Sequence, residues 1–305
     1  MAPFTGEVER LLNASLSTNT VKSYNIAIAK YIDFCKEHNI LLGCPNLSSI
    51  INFIAWLSIN GYKHSTVSSY ISGLSFYLKL NGMVDVTSAF IVRKLLKGMR
   101  KDRPSRDIRA PVTLDMLKAF PLALQSVASS DYEALLFSTA FVIMFFGFLR
   151  VGEIAITNKE GDVSKVIQVS DVCFKGLEVH VTLRYSKTDQ QGRSVTLVFT
   201  PSMSKSICPV SLLSQYISKR PRVHGPLFCH FNGTPLTRFQ VSSVLSNCLR
   251  FLGVTACVRS HSFRIGACTL AISQKIPESD VRQMGRWSED SSAFKRYIRL
   301  DKISA

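Results

Sequence analysis

Apolar residues recur at helical spacing through the first hundred positions. Val21, Tyr24, Ile28, Tyr31, Ile32 and Cys35 form one stripe, with Asn19 or Thr20 as its cap. Ile50, Phe53, Ile54 and Leu57 form a second, capped by Ser48 or Ser49. Val67, Tyr70, Ile71, Leu74 and Leu78 form a third, which Asn81-Gly82 closes. A fourth helix is expected from near Thr87 to Met99. Short connections between four such helices predict a small bundle. Beyond residue 111 the pattern becomes mixed. Helices are expected over 113–128, interrupted by Pro121, and over 131–150. Leu177, Val179, Val181 and Leu183 alternate, as do Val195, Leu197 and Phe199, so each run predicts a strand with one buried face. The polar stretch "RYSKTDQQGR" between them predicts a hairpin connection. Helical spacing returns at 208–218, 237–252, 261–274, 277–285 and 291–300. The expected fold class is mainly α with a small antiparallel β-sheet: a helical domain over 1–100, a linker over 101–111 and an α+β domain over 112–305.

Charge changes this picture at the linker. Residues 91–110 hold eight basic side chains, Arg93, Lys94, Lys97, Arg100, Lys101, Arg103, Arg106 and Arg109, opposed only by Asp102 and Asp107. A solvated charged linker is one reading. The other is a strap along phosphates, because clustered cations gain affinity from released counterions. The net charge of +16 over 305 residues makes a polyanion the first partner to consider, nucleic acid before an anionic membrane surface. None of the eight cysteines forms a C-x-x-C pair, so zinc-ribbon and thioredoxin readings have no support, and no metal is expected. The start "MAPFTGEVER" has no signal-peptide pattern, and free thiols in a reducing intracellular compartment are expected, the nucleus if the host is a eukaryote and otherwise the cytoplasm or nucleoid. The apolar run Ala134–Leu149 is 16 residues long, short of the about 20 that a membrane span needs. It reads as a buried core helix, and no membrane partner is expected.

Four short stretches carry candidate chemistry. In Gly147-Phe-Leu-Arg150-Val-Gly-Glu153, an arginine leaves a nearly all-apolar helix and a glutamate three residues on can orient it. Alone, this reads as a salt bridge at a helix end. Lys187, in the hairpin connection, reads alone as a solvated turn lysine. His261 and Arg264 share a helix face at i and i+3 with no acidic neighbour in sequence, which suits an anion. Trp287, in "GRWS", reads alone as core. Tyr297 lies beside Phe294 and Ile298 on an apolar edge, and a lone aromatic there is usually packing.

In chain order, Arg150, Lys187, His261, Arg264, Trp287 and Tyr297 resemble the catalytic set of the tyrosine recombinase (phage integrase) family. "FLRVGEI" looks like the first arginine motif with Glu153 at its customary acidic position, "SKTDQQGR" like the β-hairpin lysine, and "HSFRIG" like H-x-x-R. "GRWS" resembles the second His/Trp position and "YIR" the nucleophile. The flavour of "GRWS…FKRYIR" is similar to eukaryotic mobile-element members such as those of DIRS-like retrotransposons. Two features depart from the pattern. Arg286 follows the glycine where the family usually has histidine, with a slightly long interval from Trp287 to Tyr297. The tail after Tyr297 is short for docking on a neighbouring subunit.

The resemblance implies a core-binding, SAM-like domain at the N-terminus and a catalytic domain after the linker. It implies a site-specific recombinase that cleaves DNA through a 3′-phosphotyrosine, acting as a homotetramer on two duplex sites. The chemistry suits these residue types. A phenol ionises near pH 10 and is helped by a positive field. Forked guanidiniums match phosphate oxygens, and a lysine ammonium protonates the departing 5′ oxygen. Neither a cofactor nor a small-molecule ligand is called for. Lys97, Arg100, Lys101, Arg103, Arg106 and Arg109, with Lys295, Arg296 and Arg299 around the tyrosine, are the candidate DNA contacts. A type I topoisomerase with the same chemistry and an inactive, domesticated DNA-binding protein are the alternatives; the full set of Arg150, Lys187, His261, Arg264 and Tyr297 counts against the second.

Overall fold

The computed structural model describes residues 5–41, 45–104, 106–185, 194–288, 291 and 294–302. The chain divides into two compact units, Met1–Asp107 and Ile108–Ala305.

Among its described residues the first unit holds five α-helices: α1 Thr5–Ala14, α2 Thr18–Glu37, α3 Leu47–Ile59, α4 His64–Leu80 and α5 Phe90–Asp102. The apolar stripes meet in one core of Tyr31, Phe34, Ile50, Phe53, Ile54, Leu57, Val67, Ile71, Leu74 and Val92. The caps differ from expectation. Ser17 accepts from the Thr20 amide, and Asn46 and Ser49 form a reciprocal capping box. The fourth expected helix starts later than Thr87, because a 3₁₀ turn at Val86–Ser88, capped by Asp85, comes first. On α5, Val92, Leu95, Leu96 and Met99 face the core. Lys97, Arg100 and Lys101 are exposed on the opposite side, as are Arg103 and Arg106 beyond the helix. Arg103 also donates to the Ser58 carbonyl at 3.2 Å.

The second unit is built around a buried helix. After α6 (Leu114–Val127) comes α7 (Asp131–Phe146), whose residues Leu136–Phe145 are all buried. It packs against α6, and against α9 (Pro209–Lys219) and α11 (Ser262–Ser273), so it is apolar all round. Among the described residues no helix is long and apolar enough to cross a membrane. Pro121 does not interrupt α6, contrary to expectation. It sits on a partly exposed side while Leu117, Phe120, Ala123 and Leu124 bind the helix to the core across the missing hydrogen bond. A short helix α8 (Val151–Ile154) follows α7.

Strands β1 (Val172–Lys175), β2 (Glu178–Leu183) and β3 (Val195–Phe199) form one antiparallel sheet in the order β1-β2-β3. The register pairs Val181 with Val172 on one side and Leu197 on the other. Val179, Val181 and Leu183 point into the core. The edge strand β1 has no alternation of its own, which is why the sequence pattern missed it. The remaining helices are α10 (Arg238–Phe251) and α12 (Glu278–Met284). Gly266 allows α11 to approach the chain at residue 112 closely, since a Cβ there would sit 2.0 Å from the Val112 carbonyl oxygen.

The expected final helix over 291–300 is absent from the described residues. Two 3₁₀ turns stand there, Phe294–Tyr297 and Leu300–Lys302. Tertiary contacts explain the change. Phe294 is fully buried beside Trp287, and the Thr269 hydroxyl lies 3.1 Å from the Tyr297 carbonyl while accepting the Arg299 amide at 3.1 Å. That hydroxyl of α11 takes the groups an α-helical ladder would have used.

Candidate active site

The turn after α7 places the first arginine. Gly147 caps α7, Phe148 adopts a left-handed φ of 50°, and Arg150 becomes the N-cap of α8. Its own side chain and amide both bind Glu153: Nη1 donates to Oε1 at 3.0 Å and the backbone N–H to Oε2 at 2.8 Å. Glu153 is buried, so this pair is held in a place where water competes weakly.

The start of α11 supplies the next two groups. His261 is the N-cap and Arg264 lies in the first turn. Arg264 is fully buried and makes no ion pair among the described residues. It donates through Nη1 to the Phe148 carbonyl and through Nη2 to the Gly285 carbonyl, and its Nε finds no acceptor among the described residues. Burial, then the positive charges of Arg150 and Arg286, pull this guanidinium down to about 9, so it remains a cation at neutral pH. A buried cation with one N–H left over favours an anionic neighbour.

Aromatic rings complete the wall. The Arg264 guanidinium carbon lies 4.2 Å from the Trp287 ring centroid and 5.5 Å from that of Tyr297. Tyr297 packs against Trp287 at 4.9 Å and His261 at 5.0 Å between centroids. Gly285 is needed beneath Trp287, because a Cβ there would lie 1.7 Å from an indole ring carbon. Arg150, Glu153, His261, Arg264, Trp287 and Tyr297, spread over 148 positions of sequence, therefore gather in one cluster. Lys187 lies outside the described residues. Lys295 and Arg296 are exposed beside Tyr297, whereas Arg299 is half-buried and donates to the Ile298 carbonyl at 2.9 Å. Among the described residues no group of histidine, cysteine or acidic side chains could hold a metal ion. The described cysteines are free thiols.

Sequence did not single out Thr269, and it marked Arg286 only as a departure from the family pattern, with no role. Thr269 anchors the tyrosine's backbone; a threonine in mid-helix among buried neighbours was its only signal. Arg286 is buried with its side chain turned inward, and the only hint was its place after a glycine.

The profile described as the phage integrase family matches residues 133–303, more than half of the chain. The chain belongs to the phage integrase family. This family member is 22% identical over 314 residues to the integrase/recombinase xerD homolog of Selenomonas ruminantium, covering 97% of this chain and 86% of that protein. Its fold is similar to the XerH site-specific recombinase in a post-cleavage complex with palindromic difH substrate, with a TM-score of 0.67 at 14% identity over 93% of this chain and 77% of that one. It is also similar to a lambda integrase dimer bound to a COC′ core site, with a TM-score of 0.62 at 15% identity over 98% of this chain and 77% of the other. The integrase-family chain is thus a tyrosine recombinase by family and an enzyme by class.

Proposed function

We propose that this integrase-family protein is a site-specific DNA recombinase whose nucleophile is Tyr297. The Tyr297 hydroxyl oxygen attacks a DNA phosphorus. A new oxygen–phosphorus bond forms, the bond from phosphorus to the 5′ oxygen breaks, and the phenol proton leaves to a base, for which His261, its ring centroid 5.0 Å from that of Tyr297, is the candidate. The product is a 3′-phosphotyrosine and a free 5′-hydroxyl. Attack by the 5′-hydroxyl of another strand reverses the step and exchanges strands. The phosphodiester's bond energy is retained in the covalent link, so the exchange is isoenergetic.

Each role follows from residue chemistry. Arg150 and Arg264 bind the non-bridging oxygens, where each preorganised donor contributes on the order of 3 kcal/mol to the transition state. Glu153 orients Arg150. Trp287 holds Arg264 and Tyr297 against each other. Lys187 protonates the departing 5′ oxygen. Lys97, Arg100, Lys101, Arg103, Arg106, Arg109, Lys295 and Arg296 contact the DNA backbone. Exchange between two duplexes calls for a homotetramer, and integration or rearrangement of a mobile element is the role this chemistry serves. The observation that carries the reading is the Tyr297 ring packed against His261 and Trp287 beside a buried, underpaired arginine.

The test is a nicked suicide duplex carrying a candidate site, from which cleavage releases a short fragment so that religation is lost. Wild-type protein is expected to give a denaturant-resistant covalent adduct and Tyr297→Phe none. Equal adduct from Tyr297→Phe refutes the nucleophile. Tight binding with no adduct from wild type supports the inactive DNA-binding protein instead.

A further inference from the structure

We infer that Arg286 is a positioning residue that fixes Arg150 from behind, through Glu153 and the turn at residues 147–148. The inference rests on the strand-transfer reading for its consequence, but not for its geometry. Arg286 occupies the place where the resemblance leads one to expect a histidine that would face the phosphate. Here the side chain is turned into the protein. Its backbone adopts a left-handed φ of 57°, a conformation few residues other than glycine hold without support. That bend turns the guanidinium inward, leaving the side chain 7% exposed.

Every hydrogen-bond partner of the Arg286 side chain among the described residues belongs to the segment that presents Arg150. Nη1 donates to the Gly147 carbonyl at 3.1 Å, and Nη2 to the Phe148 carbonyl at 3.3 Å and to Glu153 Oε2 at 2.9 Å. Glu153 therefore stands between two guanidiniums, with Arg150 on Oε1 and Arg286 on Oε2. The Phe148 carbonyl likewise accepts from both Arg286 and Arg264. The strained turn Gly147–Phe148 is thus clamped by buried cations, and Glu153 is shared instead of being given wholly to Arg150.

Two consequences follow. Three guanidiniums against one carboxylate leave a formal charge of +2 (3 − 1) in the cluster, and loss of Arg286 would halve it. Loss of Arg286 would also free Glu153 to close fully on Arg150 and withdraw its donors from a phosphate. An imidazole carries at most two N–H groups on a shorter stem and cannot reach three acceptors at these positions. Histidine is therefore expected to fail here, although the family pattern has histidine after the glycine. Lysine retains the charge opposite Glu153 but has no fork for the two carbonyls.

The experiment compares Arg286→Gln, Arg286→His and Arg286→Lys in the full chain. Three measurements are made: amide hydrogen exchange, binding of the duplex, and single-turnover cleavage of the suicide duplex. In Gln and His variants, exchange over residues 147–156 is expected to rise about 10-fold or more, with residues 18–37 unchanged. Cleavage is expected to fall about 10²-fold with DNA affinity within about threefold of wild type, because the residue misplaces a donor without touching DNA. The Lys variant should recover part of both losses. Added to Glu153→Gln, Arg286→Gln should cost less than it does alone, since the two share the Arg286–Glu153 contact.

Unchanged exchange over 147–156 overturns the inference, as does a loss of DNA affinity that parallels the loss of rate, or full multiplicative loss with Glu153→Gln. If the Gln and His variants do not fold, the Lys variant carries the same exchange measurement. If wild-type protein forms no adduct, the strand-transfer reading fails, and the exchange data still decide whether Arg286 fixes the Arg150 turn.

Discussion

Arg264→Met asks whether the buried arginine serves the fold or the reaction. Arg264 is fully buried, and its guanidinium falls from an ordinary 12.5 to about 9, which corresponds to a cost on the order of 5 kcal/mol for keeping the cation there. Against that stand two charge-assisted hydrogen bonds to the Phe148 and Gly285 carbonyls, about 1.5–3 kcal/mol each, and the face of Trp287, about 1–2 kcal/mol. The terms nearly cancel. Methionine matches the stem, removes the desolvated charge, and leaves Phe148 O still bonded to Arg286. The folded state of Arg264→Met is therefore expected within about 2 kcal/mol of wild type, a change in Tm below about 8 °C for a unit of this size. Cleavage of the suicide duplex is expected to fall at least 10²-fold, the usual loss on removing a donor aimed at transition-state charge. Calorimetry and single-turnover cleavage on the same preparation measure both. A fall in Tm of about 15 °C or more would show that Arg264 holds the fold, and cleavage within about tenfold of wild type would remove it from the reaction.

Other parts of the structure give shorter tests. Thr269→Val keeps the shape but loses the hydroxyl that meets the Tyr297 carbonyl and Arg299 amide, so stability should drop about 1–2 kcal/mol in urea melts and cleavage about tenfold. Gly266→Ala forces a Cβ against the Val112 carbonyl, which as backbone cannot step aside; a loss of about 3 kcal/mol is expected, and a Tm equal to wild type would contradict the close approach. Burial alone would raise the Asp85 carboxyl, but hydrogen bonds from Thr87, Ser75 and Lys79 and the Thr87 amide bring it down to about 2. A carboxylate depressed in the folded state stabilises above its unfolded pKa near 4 and loses that contribution as pH falls towards 2. After allowance for solvent screening, thermal melts of wild type between about pH 5 and pH 2 should lose about 1 kcal/mol more than those of Asp85→Asn.

The parts of this protein legible in its sequence are those decided locally. Val67, Ile71, Leu74 and Leu78 announce a helix with one buried face, and α4 carries them. Val179, Val181 and Leu183 announce their strand in the same way. The nearly all-apolar run before Arg150 was legible as a core helix because its 16 residues fall short of the about 20 that a membrane span needs. The parts that failed are those decided by distant contacts. The terminal segment has helical spacing, yet Thr269 and Trp287 draw it into 3₁₀ turns. Strand β1 exists because β2 offers it an edge, with no period of its own. At the site, the order of motifs named Arg150, His261, Arg264 and Tyr297, and the fold brings them together. The inward turn of Arg286 had no local sign, since it depends on a left-handed backbone and on acceptors about 140 residues earlier.

The most direct test of the central claim is to locate the covalent bond. The trapped adduct is digested with protease and nuclease and the nucleotide-bearing peptide sequenced by mass spectrometry, while the released strand is tested for a 5′-hydroxyl by kinase labelling. The expected product is a nucleotide joined through its 3′ phosphate to Tyr297 and a released strand that labels directly. A nucleotide on any other residue, or a released strand that carries a 5′ phosphate, would contradict it.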